Sequence, residues 1–206
     1  MPYCEGIFAG KGLVTYSFCI RYMLDGEKKL IQDAVRGKSS AFGDLYDHYQ
    51  PMIYRFVAVK VGRREEAEDI THQVFLSAWQ NIKTYEHRGH PFSSWLYQIA
   101  RNQVIDHYRA KRNDTPLDAV DPEAFATMAS AEFEMPTKLE METVRRALAT
   151  MKPDYQDVII MRFIEDLPIR ETADALDKSE GAIKLMQHRA IKELKRILKE
   201  WNSSTY

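Results

Sequence analysis

Cysteine is nearly missing from this 206-residue chain: Cys4 and Cys19 are the only two, both within the first twenty positions. They imply no disulfide framework. Glycine and proline are sparse, at nine and eight, which leaves little room for a β-rich architecture with many tight turns. No apolar run approaches the ~20 residues that cross a bilayer, so no membrane insertion is expected. An excess of one charge is lacking too, since 29 basic residues meet 30 acidic ones for a net charge of −1. There is no phosphate-cradling Gly-rich loop, nucleophile elbow or paired-carboxylate arrangement, so the chain reads as non-catalytic, with no cofactor. His87 and His90 have a spacing compatible with metal binding, but no Cys lies nearby, and histidines in a loop are usually polar surface. No metal is expected.

What is present is an ordinary soluble composition, 45% apolar and 29% charged, long enough for one large domain or two small ones. The expected compartment is the cytoplasm. Residues 1–22 are Gly-rich and apolar with little helical patterning. The stretch "GLVTYSFCI" has the look of a short signal core, but no small-residue cleavage site follows it. Residues 1–23 therefore read as an N-terminal extension, or as the product of a start codon upstream of Met23, and receive no function.

From Leu24 onward almost everything reads as helix, which makes the fold class all-α. Two apolar-periodic segments break near Gly37; Ser40 is a candidate cap for the second, and Pro51 a candidate start or kink. In "REEAEDITHQVFLSAWQNI", Ala67, Ile70, Val74, Ala78 and Ile82 fall on one face. Glu66, Asp69, Gln73 and Gln80 share the opposite one. After a loop with Gly89 and Pro91, "FSSWLYQIARNQVIDHYRAKR" sets Phe92, Leu96, Ile99, Ala100 and Val104 inward.

Composition then changes sharply. Residues 113–142 hold eight acidic residues against Lys138 alone, a net −7, with three prolines. Such a stretch cannot bury enough apolar surface to form a domain and reads as a flexible acidic linker. The expected organisation is a helical domain over 24–112, a linker over 113–137 and a second helical domain over 138–201.

In the second domain Pro153 suits the first turn of a helix containing Val158, Ile159 and Phe163. Leu167-Pro168 ends it, "IRETADAL" gives a short helix, and Ser179 caps the next. That last helix is amphipathic. Ile183, Met186, Ala190, Leu194 and Ile197 form an apolar stripe, and Lys184, His188, Lys192, Lys195 and Lys199 lie on another side. A short helix, a tight turn and a longer basic helix make a helix-turn-helix, whose second helix enters the major groove with its N-terminal residues near base edges. The candidate contacts are Ser179, Glu180, Ala182, Lys184, Leu185, Gln187, His188 and Arg189.

Four strings in this order resemble the bacterial sigma-70 family, in its short extracytoplasmic-function (group IV) form. "AFGDLYDHYQPMIYRF" is similar to the opening helix of sigma region 2. "AEDITHQVFLSAWQNI" resembles its polymerase-clamp helix, and "HPFSSWLYQIARNQVIDHYRAKR" its promoter-melting and −10 segment. "LPIRETADALDKSEGAIKLMQHRA" resembles the −35-reading helix-turn-helix of region 4. The resemblance spans about residues 27–200. It departs from the family in the turn, where Asp177 stands in place of a frequent Gly and Lys178 in place of an apolar residue.

The resemblance implies a transcription initiation factor that binds core RNA polymerase, through the β′ clamp and the β flap, and directs it to promoter DNA. An anti-sigma factor is a common partner in the family. Capture of the −10 element as single-stranded DNA falls to Tyr85, His87, Arg88, Trp95, Arg101, Asn102, Arg109, Lys111 and Arg112, with Phe92 either in the base pocket or in the core. These residues supply aromatics for stacking and cations for the backbone. Polymerase binding falls to Glu66, Asp69, Gln73, Phe75 and Leu76, whose acidic side suits a basic protein partner. The linker would thread the polymerase cleft, and its charge would let it fold over either basic patch in the free protein. The alternative is a two-domain helix-turn-helix regulator that acts without being a polymerase subunit. A ligand pocket or a phosphoacceptor in the first domain would mark that class, and the sequence offers neither.

Overall fold

In a computed structural model, residues 24, 26–85, 90–111 and 138–203 are described, and all their regular structure is helical. Residues 1–23, most of the acidic linker, and His87, Arg88 and Arg112 lie outside the described residues.

The first domain has four helices: α1 (Glu27–Val35), α2 (Ser39–Val61), α3 (Arg64–Asn81) and α4 (Phe92–Lys111). A 3₁₀ turn over Ile82–Thr84 closes α3. The break between α1 and α2 falls at Gly37, whose φ of 92° is readily open only to glycine. At the start of α2 the cap position belongs to Lys38, which makes no side-chain cap bond, so Ser40 does not cap this helix. Pro51 neither starts nor ends a helix; it lies inside the 23-residue α2. A proline there removes one backbone hydrogen bond. Tyr49, Ile53, Phe56 and Val57 on the same helix are all buried, and their packing carries it through the gap. At about 1.5–3 kcal/mol per large buried side chain, such packing outweighs one lost bond. The helix stops at Gly62 in the left-handed region (φ 74°), whose N–H returns to the Ala58 carbonyl at 3.0 Å.

Helix α3 buries the expected stripe Ala67, Ile70, Val74 and Ala78 against α2 and α4. Tyr97 and Leu96 of α4 fill the centre of the domain, with Tyr97 edge-on to Phe56 at 5.4 Å between centroids.

The second domain comprises α5 (Lys138–Ala149), α6 (Pro153–Ile159), a π-helical segment (Ile160–Ile164), α7 (Ile169–Leu176) and α8 (Glu180–Ser203). Pro153 takes the first turn of α6 as expected. The π segment is the surprise. Its longer turn, marked by the Glu165 N–H reaching the Ile160 carbonyl at 2.9 Å, changes the register after Ile159. Val158 and Ile159 are buried, whereas Phe163, expected on the same helix, lies in this segment and is 42% exposed.

Between α7 and α8 the chain turns through Asp177 at φ 51°, ψ 50°, the left-handed conformation that an Asp tolerates better than most residues. The Lys178 N–H bonds the Ala173 carbonyl at 3.0 Å and closes the turn. Ser179 then caps α8, its Oγ accepting from the Ala182 N–H at 3.2 Å. Ile183, Ala190 and Ile197 are buried, with Met186 and Leu194 packed beside them.

Candidate nucleic-acid and polymerase interface

The basic helix α8 separates as its periodicity requires. Lys184, Leu185, His188 and Arg189 share its outer side and are all exposed, as are Lys192, Lys195 and Lys199 further along. Leu185 is half exposed, at 50%, an apolar residue left in water among cations. Ser179 and Glu180 are exposed at the helix start, while Ala182 is half-buried. Gln187 departs from the outer set. It is half-buried, and its Oε1 accepts from Arg162 Nε at 3.0 Å. Arg162 also donates to the Leu167 carbonyl, which anchors it to the loop before α7.

On α3 the spacing 69, 73, 76 puts Asp69, Gln73 and Leu76 on one exposed side. Leu76 is 56% exposed, whereas Phe75 is 4% exposed and packs edge-on to Tyr46 at 4.7 Å. Phe75 is thus a core residue, and Leu76 holds the apolar position on the surface. Glu66 has a different surrounding from its neighbours. Its carboxylate takes Lys111 Nζ at 3.0 Å and His107 Nε2 at 3.1 Å, both from α4. Burial alone would raise its pKa, but Lys111 and His107 together hold it below the ordinary 4.5. A residue expected to meet polymerase and one expected to meet DNA therefore hold each other. A shallow depression of about 340 Å³ lies beside them, lined by Glu66, Asp69, Gln73, Asp106 and His107 among others.

The residues expected at the −10 strand split three ways. Tyr85 is buried, its ring against Phe92 at 5.3 Å and Trp95 at 5.1 Å, and its hydroxyl donates to the His90 carbonyl at 3.1 Å. Burial, followed by the Glu27 carboxylate, pushes the Tyr85 hydroxyl up to about 12. Phe92 is likewise core. Asn102 and Arg109 stand in solvent, Arg109 pairing with Asp106 at 3.2 Å. Trp95 and Arg101 are half-buried and face the second domain.

That contact between domains is absent from the sequence-based expectation. Arg101 donates through Nε to Asp157 at 2.9 Å and through Nη2 to Asp154 at 2.7 Å. Lys60 of α2 donates to the other oxygen of Asp157. Arg55 grips Glu165 through two bonds, 3.0 and 2.6 Å. Ser93 and Ser94 donate to the Glu171 side chain and carbonyl, and Gln98 donates to the Asp174 carbonyl at 2.8 Å. A cleft of about 550 Å³ between the domains is lined by Tyr85, Trp95 and Gln98 on one side and Asp174, Lys178 and Ser179 on the other. One sequence signal pointed this way: residues 153–177 carry seven acidic residues against Arg162 and Arg170.

Among the described residues no three His, Cys, Asp or Glu side chains come together as a metal site, and His90 pairs with Asp174 at 2.8 Å. None of the described helices is long and apolar enough to cross a membrane.

The two helical domains correspond to known units. Residues 45–113 match sigma-70 region 2, and residues 141–194 match sigma-70 region 4. The chain is 36% identical over 176 residues to the ECF RNA polymerase sigma factor BldN of Streptomyces coelicolor, covering 82% of this chain and 65% of that protein. It is 32% identical to the ECF RNA polymerase sigma factor SigW of Bacillus subtilis, over 84% of this chain and 97% of that protein. In fold it is similar to CnrH, solved in complex with the cytosolic domain of CnrY, at a TM-score of 0.66 and 22% identity over 85% of this chain and 99% of that one. The chain belongs to the sigma-70 family, in its ECF division. Sigma factors as a family are known as non-catalytic initiation factors.

Proposed function

We propose that the protein binds core RNA polymerase through the exposed side of α3 and reads a −35 element with the outer side of α8, while α4 and the loop before it capture the melted −10 strand. The observation that supports this most is the outer side of α8. Lys184, Leu185, His188 and Arg189 are exposed together at the start of a Ser-capped helix. That end of a recognition helix is the part that reaches base edges. Asp69, Gln73 and Leu76 supply an acidic and apolar patch for a basic partner surface, with Leu76 as its anchor. The self-standing regulator is not favoured, because both sigma regions are matched, in order, on one chain.

The partners that follow are core RNA polymerase at its β′ clamp and β flap, promoter DNA, and an anti-sigma factor. In the solved relatives CnrH is held by the cytosolic domain of CnrY, and a Bartonella quintana sigma factor RpoE by the anti-sigma factor NepR. The direct test is co-elution of the purified protein with core RNA polymerase, followed by transcription from a library of promoter variants. Failure to co-elute removes the initiation-factor reading. Sequence selection by the free protein equal to that of the polymerase complex reinstates the self-standing regulator.

A further inference from the structure

Leu185 is out of keeping with the outer side of α8. Every other exposed residue of the helix from Lys184 to Lys199 is a lysine, an arginine or a histidine. Leu185 is apolar and 50% exposed. Core packing does not account for it, because the buried stripe runs through Ile183, Ala190 and Ile197, and Leu185 lies off that stripe. Helix propensity does not account for it either, since leucine, lysine and arginine have nearly equal values.

The surroundings of Leu185 describe what would cover it. Residues three and four apart share a helix face, so its neighbours are Gly181 and Ala182 on one side, His188 and Arg189 on the other. Gly181 is exposed, and a Cβ placed there would meet no other part of the fold within 4 Å. Nothing in the chain fills the space left by that missing side chain. The start of α8 is therefore a low surface, from which Leu185 stands out, with cations beginning at once behind it. A partner that suits the cations is anionic and extended, as a duplex backbone is. It must also offer Leu185 an apolar group. On the base edges of the major groove that group is the C5-methyl of thymine.

We propose that Leu185 selects a thymine in the −35 duplex by packing against its C5-methyl group. This rests on the reading of α8 as the recognition helix. The contact removes from water a side chain that is otherwise half covered by it, so it is driven by burial and needs no hydrogen bond. Helix geometry places the thymine. From Leu185 to Arg189 the helix rises about 6 Å at 1.5 Å per residue, against about 3.4 Å between successive nucleotides. The thymine should thus lie within about two base pairs of the position that Arg189 reads.

The test uses the full chain assembled with core RNA polymerase, on a fluorescent −35 duplex selected from a library of promoter variants. Each thymine of the duplex is replaced in turn by deoxyuridine, which lacks the methyl group and keeps the pairing. One replacement, near the position altered by Arg189→Ala, should weaken binding by wild type about fourfold, the scale of one buried methylene. Leu185→Ser should bind less tightly and should not distinguish thymine from deoxyuridine there. Its thermal transition should stay in place, and the scan on wild type holds whether or not the variant folds. A selected element without thymine overturns the proposal, and so does a scan in which no deoxyuridine matters. So does a sensitive position that Leu185→Ser still discriminates, or one remote from the position read by Arg189. If Leu185→Ser weakens binding to core polymerase in the absence of DNA and leaves the thymine preference intact, the leucine belongs to a protein contact and the proposal fails. Arg189→Ala separates this failure from a failure of the recognition helix. Altered base preference in Arg189→Ala with no deoxyuridine effect removes the leucine contact only. Loss of both effects removes α8 as the reader of the duplex.

Discussion

Arg162 donates its Nε hydrogen to Gln187 Oε1 at 3.0 Å, and so links the π segment of the second domain to the recognition helix. The bond decides what Gln187 can do. A glutamine reads adenine by accepting and donating at once, through its oxygen and its nitrogen. The bond from Arg162 takes one of the two lone pairs of that oxygen and turns it towards the π segment, and the side chain is half-buried. On the reading proposed above, Gln187 positions the helix, and polar base reading falls to Lys184, His188 and Arg189, which are exposed. Gln187→Ala is therefore expected to leave the ranking of a promoter-variant panel unchanged when it is measured with the polymerase complex. Arg189→Ala should flatten the ranking at one position, at a cost of ~1–3 kcal/mol. Lys195→Ala should weaken every variant alike and reduce the salt slope by about one. A Gln187→Ala protein with altered base preference would contradict the positioning role.

The adjacent residues Phe75 and Leu76 make opposite predictions. Phe75→Ala opens a cavity against Tyr46 and should cost about 3–5 kcal/mol of stability, read as a lowered urea midpoint. Leu76→Ala removes an exposed side chain, so its thermal transition should stay in place while affinity for core polymerase falls. Asp69→Lys should behave like Leu76→Ala. If either surface variant binds core enzyme normally in a pull-down, the clamp assignment to this side of α3 is wrong.

These contrasts show which parts of the molecule were open to reading in the sequence. The stripes Ala67–Ile70–Val74–Ala78 and Ile183–Ala190–Ile197 were legible because burial and helical periodicity impose the same spacing. The Ser179 cap and the left-handed Asp177 were legible because each has a local cause. The π segment over Ile160–Ile164 was not, because a periodicity of 3.6 residues carries no mark of a longer turn. Neither was the contact between the domains. Asp157 and Glu165 look like ordinary solvated acids until Lys60 and Arg55 are brought to them from about a hundred positions away in the chain. Phe75 and Leu76 lie at the edge of the buried stripe, where one residue of rotation decides between core and surface.

Asp177 offers a test of the turn alone. An L-residue in the left-handed region costs up to about 1–2 kcal/mol, less for Asp, and glycine avoids that cost. Asp177→Gly is expected to raise the melting temperature slightly, and Asp177→Val to lower it clearly, because a β-branched side chain is poorly accommodated there. Equal melting temperatures for the two variants would show that the turn is not held in this conformation.

The cluster of Glu66, Lys111 and His107 predicts how the first domain responds to acid. The pKa of Glu66 is lowered in the folded state relative to the ordinary 4.5, although burial opposes the shift, because Lys111 and His107 favour the charged carboxylate. A carboxylate with a depressed folded pKa binds fewer protons folded than unfolded in the interval between the two values. Its stabilising contribution is therefore complete above the unfolded value and is lost as pH falls through the folded one. Glu66→Gln abolishes this contribution at every pH, so the variant should be less stable than wild type at neutral pH and should converge on it as pH falls below 4.5. The quantity to measure is the difference in urea midpoint between the two proteins across that range, which cancels the other carboxylates they share. Lys111→Ala should shrink the difference, since it removes the partner that acts most strongly on Glu66. A difference that stays constant down to acid pH would mean that Glu66 titrates alike in the folded and unfolded chains and that the cluster does not hold α3 to α4.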